Sequence, residues 1–288
     1  MHLGFSSMNN VSDPAPVELA VTLEQAGFES LWYGEHSHIP CAQKTPYPPG
    51  GEMPEPYKRM MDPYLSLMAA ASVTTTLKLG TGIALLLERE LFSQAKTIAT
   101  LDRLTNGRVL IGTGVGWNEE EFTNATQMPW KRRYLGLKET VLAQRELFSK
   151  AEPEYHGELI DFDSVWFEPK PLQMNGPPII LGVMGPLGVR HAAQWADGWM
   201  PVDVAMPDIE QGIKAFRQQV SDFGRDPDAV EITMVAMGEI TTDLLKRYQD
   251  MGIARVNIGV GMENWDKPEI VMPMIEEFSK LISSISRL

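Results

Sequence analysis

The sequence predicts an α/β protein built as one closed (β/α)8 barrel, a TIM barrel with insertions at its rim. Three observations lead there. Short apolar segments alternate with helical ones eight times along the 288 residues, the cadence of a parallel sheet with crossover helices. Several apolar segments, Ile179-Ile180-Leu181 among them, run without polar alternation, as strands covered on both faces do. Eight units in 288 residues suit a barrel, which ordinarily takes about 250. A doubly wound open sheet is the alternative.

Residues 2–6 read as the first strand, and 14–26 as an amphipathic helix closed by Gly27. The second strand is 30–33. A helix starts at Pro63 with Asp62 as its N-cap. The third strand is 77–84 and its helix 92–104, closed by Asn106-Gly107; the fourth strand is 108–113, and after an acidic turn a helix covers about 132–148. The fifth unit is strand 179–182 with helix 187–195, and the sixth is strand 198–201 with helix 208–223. Strand 231–236 with helix 242–251, then strand 256–260 with helix 268–285, complete the set.

Two stretches interrupt this cadence. Residues 39–61 are too long and too rich in Pro and Gly for an ordinary βα connection. They follow the second strand, so they belong on the C-terminal rim where barrel enzymes build their sites, as a lid or a substrate wall. Residues 152–178 are the other insertion. Tyr155-His156 and Trp166-Phe167 flank turn-like residues there and predict a small hairpin. No linker or repeat divides the chain, so residues 1–288 read as a single domain.

Composition narrows the function. With 43% hydrophobic and 22% charged residues, the chain has the balance of a globular protein with a large core. The longest apolar run, 83–87, is far short of the ~20 residues of a membrane helix. The net charge of -13 repels phosphate backbones and anionic lipid, which argues against nucleic-acid and membrane partners. A single cysteine, Cys41, cannot form an internal disulfide. With no export signal at the N-terminus, the expected compartment is the cytoplasm.

The chemistry concentrates where strands meet the rim. Glu35 and His36, just past the second strand, could serve proton transfer, since histidine titrates near neutral pH. His36 and His38 lack a third metal ligand, so no metal site is expected. Gly112, Gly114 and Gly116 end the fourth strand and would let a flat ligand approach the backbone, with Trp117 next to them. Their spacing is not that of a dinucleotide fold, and the following Glu119-Glu120-Glu121 would repel a pyrophosphate. Asn118 and Glu121 resemble a capping box. Gly182, Val183, Met184, Gly185 and Pro186 follow the fifth strand and open a helix whose free amides form an anion site, the better place for a cofactor phosphate. Thr81-Gly82-Ile83 faces the same rim. Arg89, His191 and Asp197 read as structural.

Taken in order, AGFESLWYGEH, LKLGTGIALL, KTIATLDRLTNGRVLIGTGVGWNEEEF and PPIILGVMGPLGVRHAAQWADGWMP resemble the luciferase-like monooxygenase family. The resemblance covers nearly the whole chain. It implies a (β/α)8 barrel that binds FMN or the deazaflavin coenzyme F420 at its C-terminal rim, and a homodimer. The chain is most similar to the deazaflavin branch. Sugar-phosphate dehydrogenases of that branch carry an Asp-His pair where Glu35-His36 stands, and a Gly-Pro where Gly185-Pro186 stands. Flavin-dependent luciferases bring an arginine to the fourth-strand loop, where this chain has Val115, and hydroxyl residues to the phosphate loop, where no Ser or Thr lies between Gly182 and Gly188. The sugar-phosphate enzymes place a glutamate acid where this chain has Trp117, which argues against a sugar phosphate. The resemblance also implies a bulge with a cis peptide at Gly82-Ile83, supporting the cofactor ring. The implied activity is F420-dependent hydride transfer to or from a small organic molecule. An FMN-dependent monooxygenase fed by a separate reductase is the alternative.

Overall fold

A computed structural model describes residues 1–265 and 267–285, with side chains described through residue 282. Eight parallel strands close a barrel: β1 (His2–Ser7), β2 (Ser30–Tyr33), β3 (Lys78–Ala84), β4 (Val109–Thr113), β7 (Ile179–Leu181), β8 (Gly198–Trp199), β9 (Glu231–Val235) and β10 (Arg255–Gly259). They pair in chain order, and β10 returns to β1. Outside them lie α1 (Pro16–Ala26), α2 (Pro63–Ala71), α3 (Leu91–Leu104), α5 (Arg133–Ser149), α6 (Pro186–Trp195), α7 (Ile209–Asp222), α8 (Thr242–Asp250) and α9 (Val271–Ile285).

Local chemistry sets the helix ends as read from the sequence. Asp62 accepts from the Leu65 N–H at the start of α2, and Gly27 closes α1 with φ +85°. The strands need no alternation because both faces are covered. Leu31, Leu79, Ile111 and Leu181 face the helices in the main core. Trp32, Leu110, Ile180 and Met200 fill the barrel interior. At the bottom, the nearly inaccessible Arg255 grips Glu29 with two hydrogen bonds of 2.7 Å. Burial opposes the Glu29 charge, yet Arg255 holds its carboxyl down to about 2.

Three expectations are corrected. The small hairpin pairs β5 (Tyr155–His156) with β6 (Asp161–Phe162), not with Trp166-Phe167. The Glu139 carboxylate on α5 accepts from the amides of Glu158, Leu159 and Ile160 and fixes the turn there, while Phe167 is buried against Phe148. The acidic turn after β4 is wound into α4 (Glu119–Ala125). Residues 268–270 form a separate 3-10 turn, so the last helix starts at Val271. No helix among the described residues is long and apolar enough to cross a membrane.

Candidate active site

The rim around β2, β3 and β4 is built from short polar bonds laid on an apolar frame. β2 is fully buried and delivers Glu35 and His36 to the rim side by side, but the two do not pair. Glu35 accepts from the Leu85 N–H at 2.7 Å and from the Arg89 guanidinium, and Arg89 also bridges to Asp62 at 2.6 Å. Glu35 therefore ties the end of β2 to the segment after β3 and to the cap of α2. This corrects the sequence-based pairing.

The partner of His36 is Glu121. His36 Nδ1 lies 2.6 Å from its Oε2, and the Ser37 N–H donates to Oε1 at 3.0 Å. A carboxylate that accepts from a backbone amide favours the tautomer with the proton on Nδ1, leaving Nε2 free. Asn118 caps α4 by accepting from the Glu121 N–H, so half of the capping box forms. Glu121 sends its carboxylate to His36 instead of back to Asn118. Its neighbour Glu120 accepts from the amides of Lys44 and Thr45 and fastens the 39–61 loop.

That loop folds across the rim as a wall of aromatic rings. Tyr57 packs edge-on against His36 at 5.2 Å, and against Tyr47 and Trp265. Trp117 packs against His36 and Tyr47, both at 5.7 Å. The Tyr47 and Tyr57 hydroxyls lie 3.3 Å apart. Burial raises the Tyr57 hydroxyl well above its ordinary range, so it stays protonated. Beneath the wall lies a cavity of about 720 Å³, within the range of small-molecule and cofactor sites. Tyr47, Tyr57, Trp265, Met200, Asn257 and the Gly82 backbone are among its lining. His36 is not part of this lining; it packs against Tyr57 and lines a neighbouring cleft with Met60, Met61 and Glu88.

The expected ring and phosphate residues divide in two. The Gly82-Ile83 peptide is cis and sits in a bulge of β3, as the resemblance implied. The hydroxyls of Thr81 and Thr113 brace that bulge by donating to the Gly112 and Ala84 carbonyls. Gly82 and Met184 line the cavity. Gly112, Gly114 and Gly182 do not; they make room for the protein itself. A Cβ on Gly112 would sit 2.1 Å from the Thr81 carbonyl oxygen, and Cβ atoms on Gly114 and Gly182 would sit 2.5 and 2.6 Å from the Ile83 side chain. Gly116 turns the chain at φ +70°. Val183 is buried and accepts from the Trp199 indole N–H. Gly185 and Pro186 begin α6 without a side-chain cap, and no atom lies within 4 Å of a Cβ placed on Gly185.

Glu88 was not anticipated. It sits between Glu35 and Glu121 and accepts from the Ser37 hydroxyl at 3.3 Å. Burial, then the Glu121 and Glu35 charges, push its carboxyl up to about 8. Among the described residues, no three His, Cys, Asp or Glu side chains converge to hold a metal ion.

A closed eight-stranded barrel with a cavity at its C-terminal rim, walled in part by the 39–61 loop, and a carboxylate-held histidine near it has the architecture of an enzyme. The chain belongs to the luciferase-like monooxygenase family, whose pattern matches residues 10–247. It is similar to an uncharacterized protein of Mycobacterium tuberculosis, 35% identical over 271 residues, covering 90% of this chain and 92% of that relative. It is also similar to the phthiodiolone/phenolphthiodiolone dimycocerosates ketoreductase of that organism, 30% identical over 198 residues, or 64% of this chain and 50% of the ketoreductase. An F420-dependent secondary alcohol dehydrogenase, solved in complex with an F420-acetone adduct, shares the fold with a TM-score of 0.73 at 18% identity, over 99% of this chain and 98% of that one. Solved monooxygenases share the same barrel.

Proposed function

We propose that this protein is a coenzyme F420-dependent oxidoreductase that moves a hydride between the deazaflavin and a small organic substrate, with His36 as the proton carrier. The observation that carries this reading is the 2.6 Å His36–Glu121 bond, placed at the end of β2 beside the rim cavity and the Gly82-Ile83 edge. Glu121 orients the imidazole through Nδ1, so Nε2 can give or take a proton. Glu35, locked to Arg89, positions the segment that carries His36. The 39–61 wall excludes water from the site.

The residues fit the cofactor. The exposed backbone edge at Gly82 suits a flat ring, and Met184 carries the cavity wall to Gly185, where the open start of α6 suits a phosphate. When bound, the deazaflavin would supply the carbon that carries the hydride; the protein supplies orientation and protons. The ketoreductase relative and the F420-dependent alcohol dehydrogenase of the same fold support carbonyl–alcohol chemistry. An FMN-dependent monooxygenase is the second reading, favoured by the monooxygenases of the same fold. Val115 and the lack of hydroxyls between Gly182 and Gly188 weigh against it.

Paired turnover tests the two. Anaerobic ketone reduction at the expense of reduced F420 is the expected result. Oxygen consumption with reduced FMN, and no reaction with F420, would overturn the proposal.

A further inference from the structure

The lining of the cavity specifies what it can hold. None of the described residues that line it carries a charged side chain. Five are methionines: Met8, Met184, Met200, Met237 and Met262. Methionine is unbranched and flexible, so such a wall adapts to an apolar ligand rather than fixing one shape. An ion entering would lose its hydration and gain no counter-charge there.

Besides the hydroxyls of Ser6, Ser7, Tyr47 and Tyr57 and the Trp265 indole, one carboxamide interrupts the apolar pattern. Asn257 on β10 lies at the cavity and is 1% exposed. Neither its Oδ1 nor its Nδ2 has a hydrogen-bond partner among the described residues. A buried carboxamide with both ends unsatisfied is costly unless something completes it. The fold makes room for this one. A Cβ on the facing Gly4 would sit 2.3 Å from Asn257 Oδ1, so a larger residue there would displace the amide.

Position separates Asn257 from the ring edge. β1 and β2 stand between β10 and β3 in the barrel, and the Trp32 side chain spans the interval. Its Nε1 lies 2.9 Å from a Cβ on Gly4, and its Cβ lies 3.3 Å from one on Gly82. Asn257 thus lies three strands around the barrel from Gly82, on another side of the same cavity.

We infer that this site takes an uncharged, largely apolar substrate and that Asn257 is the specificity-determining residue that hydrogen-bonds a neutral carbonyl or hydroxyl group on it. Nδ2 donates to a carbonyl oxygen; with a hydroxyl, Oδ1 accepts as well. Proton transfer stays with His36. The inference rests on the oxidoreductase reading for the reaction but not for the binding, so the test reads binding alone.

The purified chain is titrated calorimetrically with 2-octanone, octanoate and octylammonium, and the series is repeated on Asn257→Leu and Asn257→Ser, with melting temperature as the control for folding. The expected result is that 2-octanone binds and both ions bind at least about tenfold more weakly, as their uncompensated charge requires. Asn257→Leu should fold and weaken 2-octanone about fivefold to tenfold, the weight of one hydrogen bond. If the leucine variant does not fold, the serine variant carries the comparison, with the same direction expected. Octanoate or octylammonium binding as well as the ketone, or an unchanged ketone affinity in the folded variant, overturns the inference. Failure of the cofactor reading would show differently, as ketone binding intact with no F420 binding.

Discussion

Replacing Glu88 with glutamine tests the electrostatics of the rim. Glu88 faces Glu121 and Glu35 in a half-buried position, and its carboxyl is pushed up from 4.5 to about 8, by burial first and then by the two neighbouring charges. Between those values the folded protein holds a proton that the unfolded chain has released. Stability therefore falls as pH rises through this window, and the loss is complete above the folded value. From pH 5 to pH 8 the unscreened contribution is about 3 kcal/mol. Solvent access to the group reduces that to about 2 kcal/mol. Glutamine keeps the shape and does not titrate. At about 2–4 °C per kcal/mol for a chain of this size, the gap between variant and wild type should move in the variant's favour by about 4–8 °C from pH 5 to pH 8. Thermal melts of both proteins across that range measure it. A gap that stays constant with pH, or moves toward wild type, would show that Glu88 does not hold a proton in this window.

Other substitutions probe the remaining parts. His36→Ala should fold and bind cofactor but lose about 10²–10⁴-fold in turnover; an unchanged rate removes His36 from the mechanism. Glu121→Gln keeps the cap of α4, which uses the backbone N–H, and should still lower kcat by about tenfold or more through loss of the charged acceptor. Gly185→Trp enters open space at φ -70°, so melting should be unchanged while cofactor affinity drops; unchanged affinity places the phosphate elsewhere. Gly112→Ala meets the Thr81 carbonyl at 2.1 Å and should cost about 3 kcal/mol, seen as a lower melting temperature; equal melting would show that the strands yield.

The barrel was legible because its signals are local. Buried runs such as Ile179-Ile180-Leu181, the Asp62-Pro63 cap and the Gly27 stop each report on a few neighbouring residues. The rim position of 39–61 followed from its place in the cadence, and the cis Gly82-Ile83 bond from the resemblance alone. The partner of His36 was not legible. Glu121 lies 85 positions away, and its spacing from Asn118 offered a local role that its backbone alone fulfils. The adjacent Glu35 was the natural choice by sequence, but a neighbour along the chain points elsewhere when Arg89 waits on the next segment. Gly112, Gly114 and Gly182 looked like room for a ligand; the space belongs to Thr81 and Ile83, which only the packing of β3 against β4 and β7 reveals. Asn257 left no trace in the sequence, because an unpaired amide is recognised only by what fails to surround it.

The chemistry of this rim depends on which cofactor binds and where it lies. A side-by-side titration of the purified protein with F420 and with FMN, followed by cofactor fluorescence, tests both most directly. F420 should bind saturably, more weakly in Gly185→Trp and undiminished in His36→Ala, with FMN bound more weakly. Tight FMN binding with no response to F420 would contradict the F420 assignment.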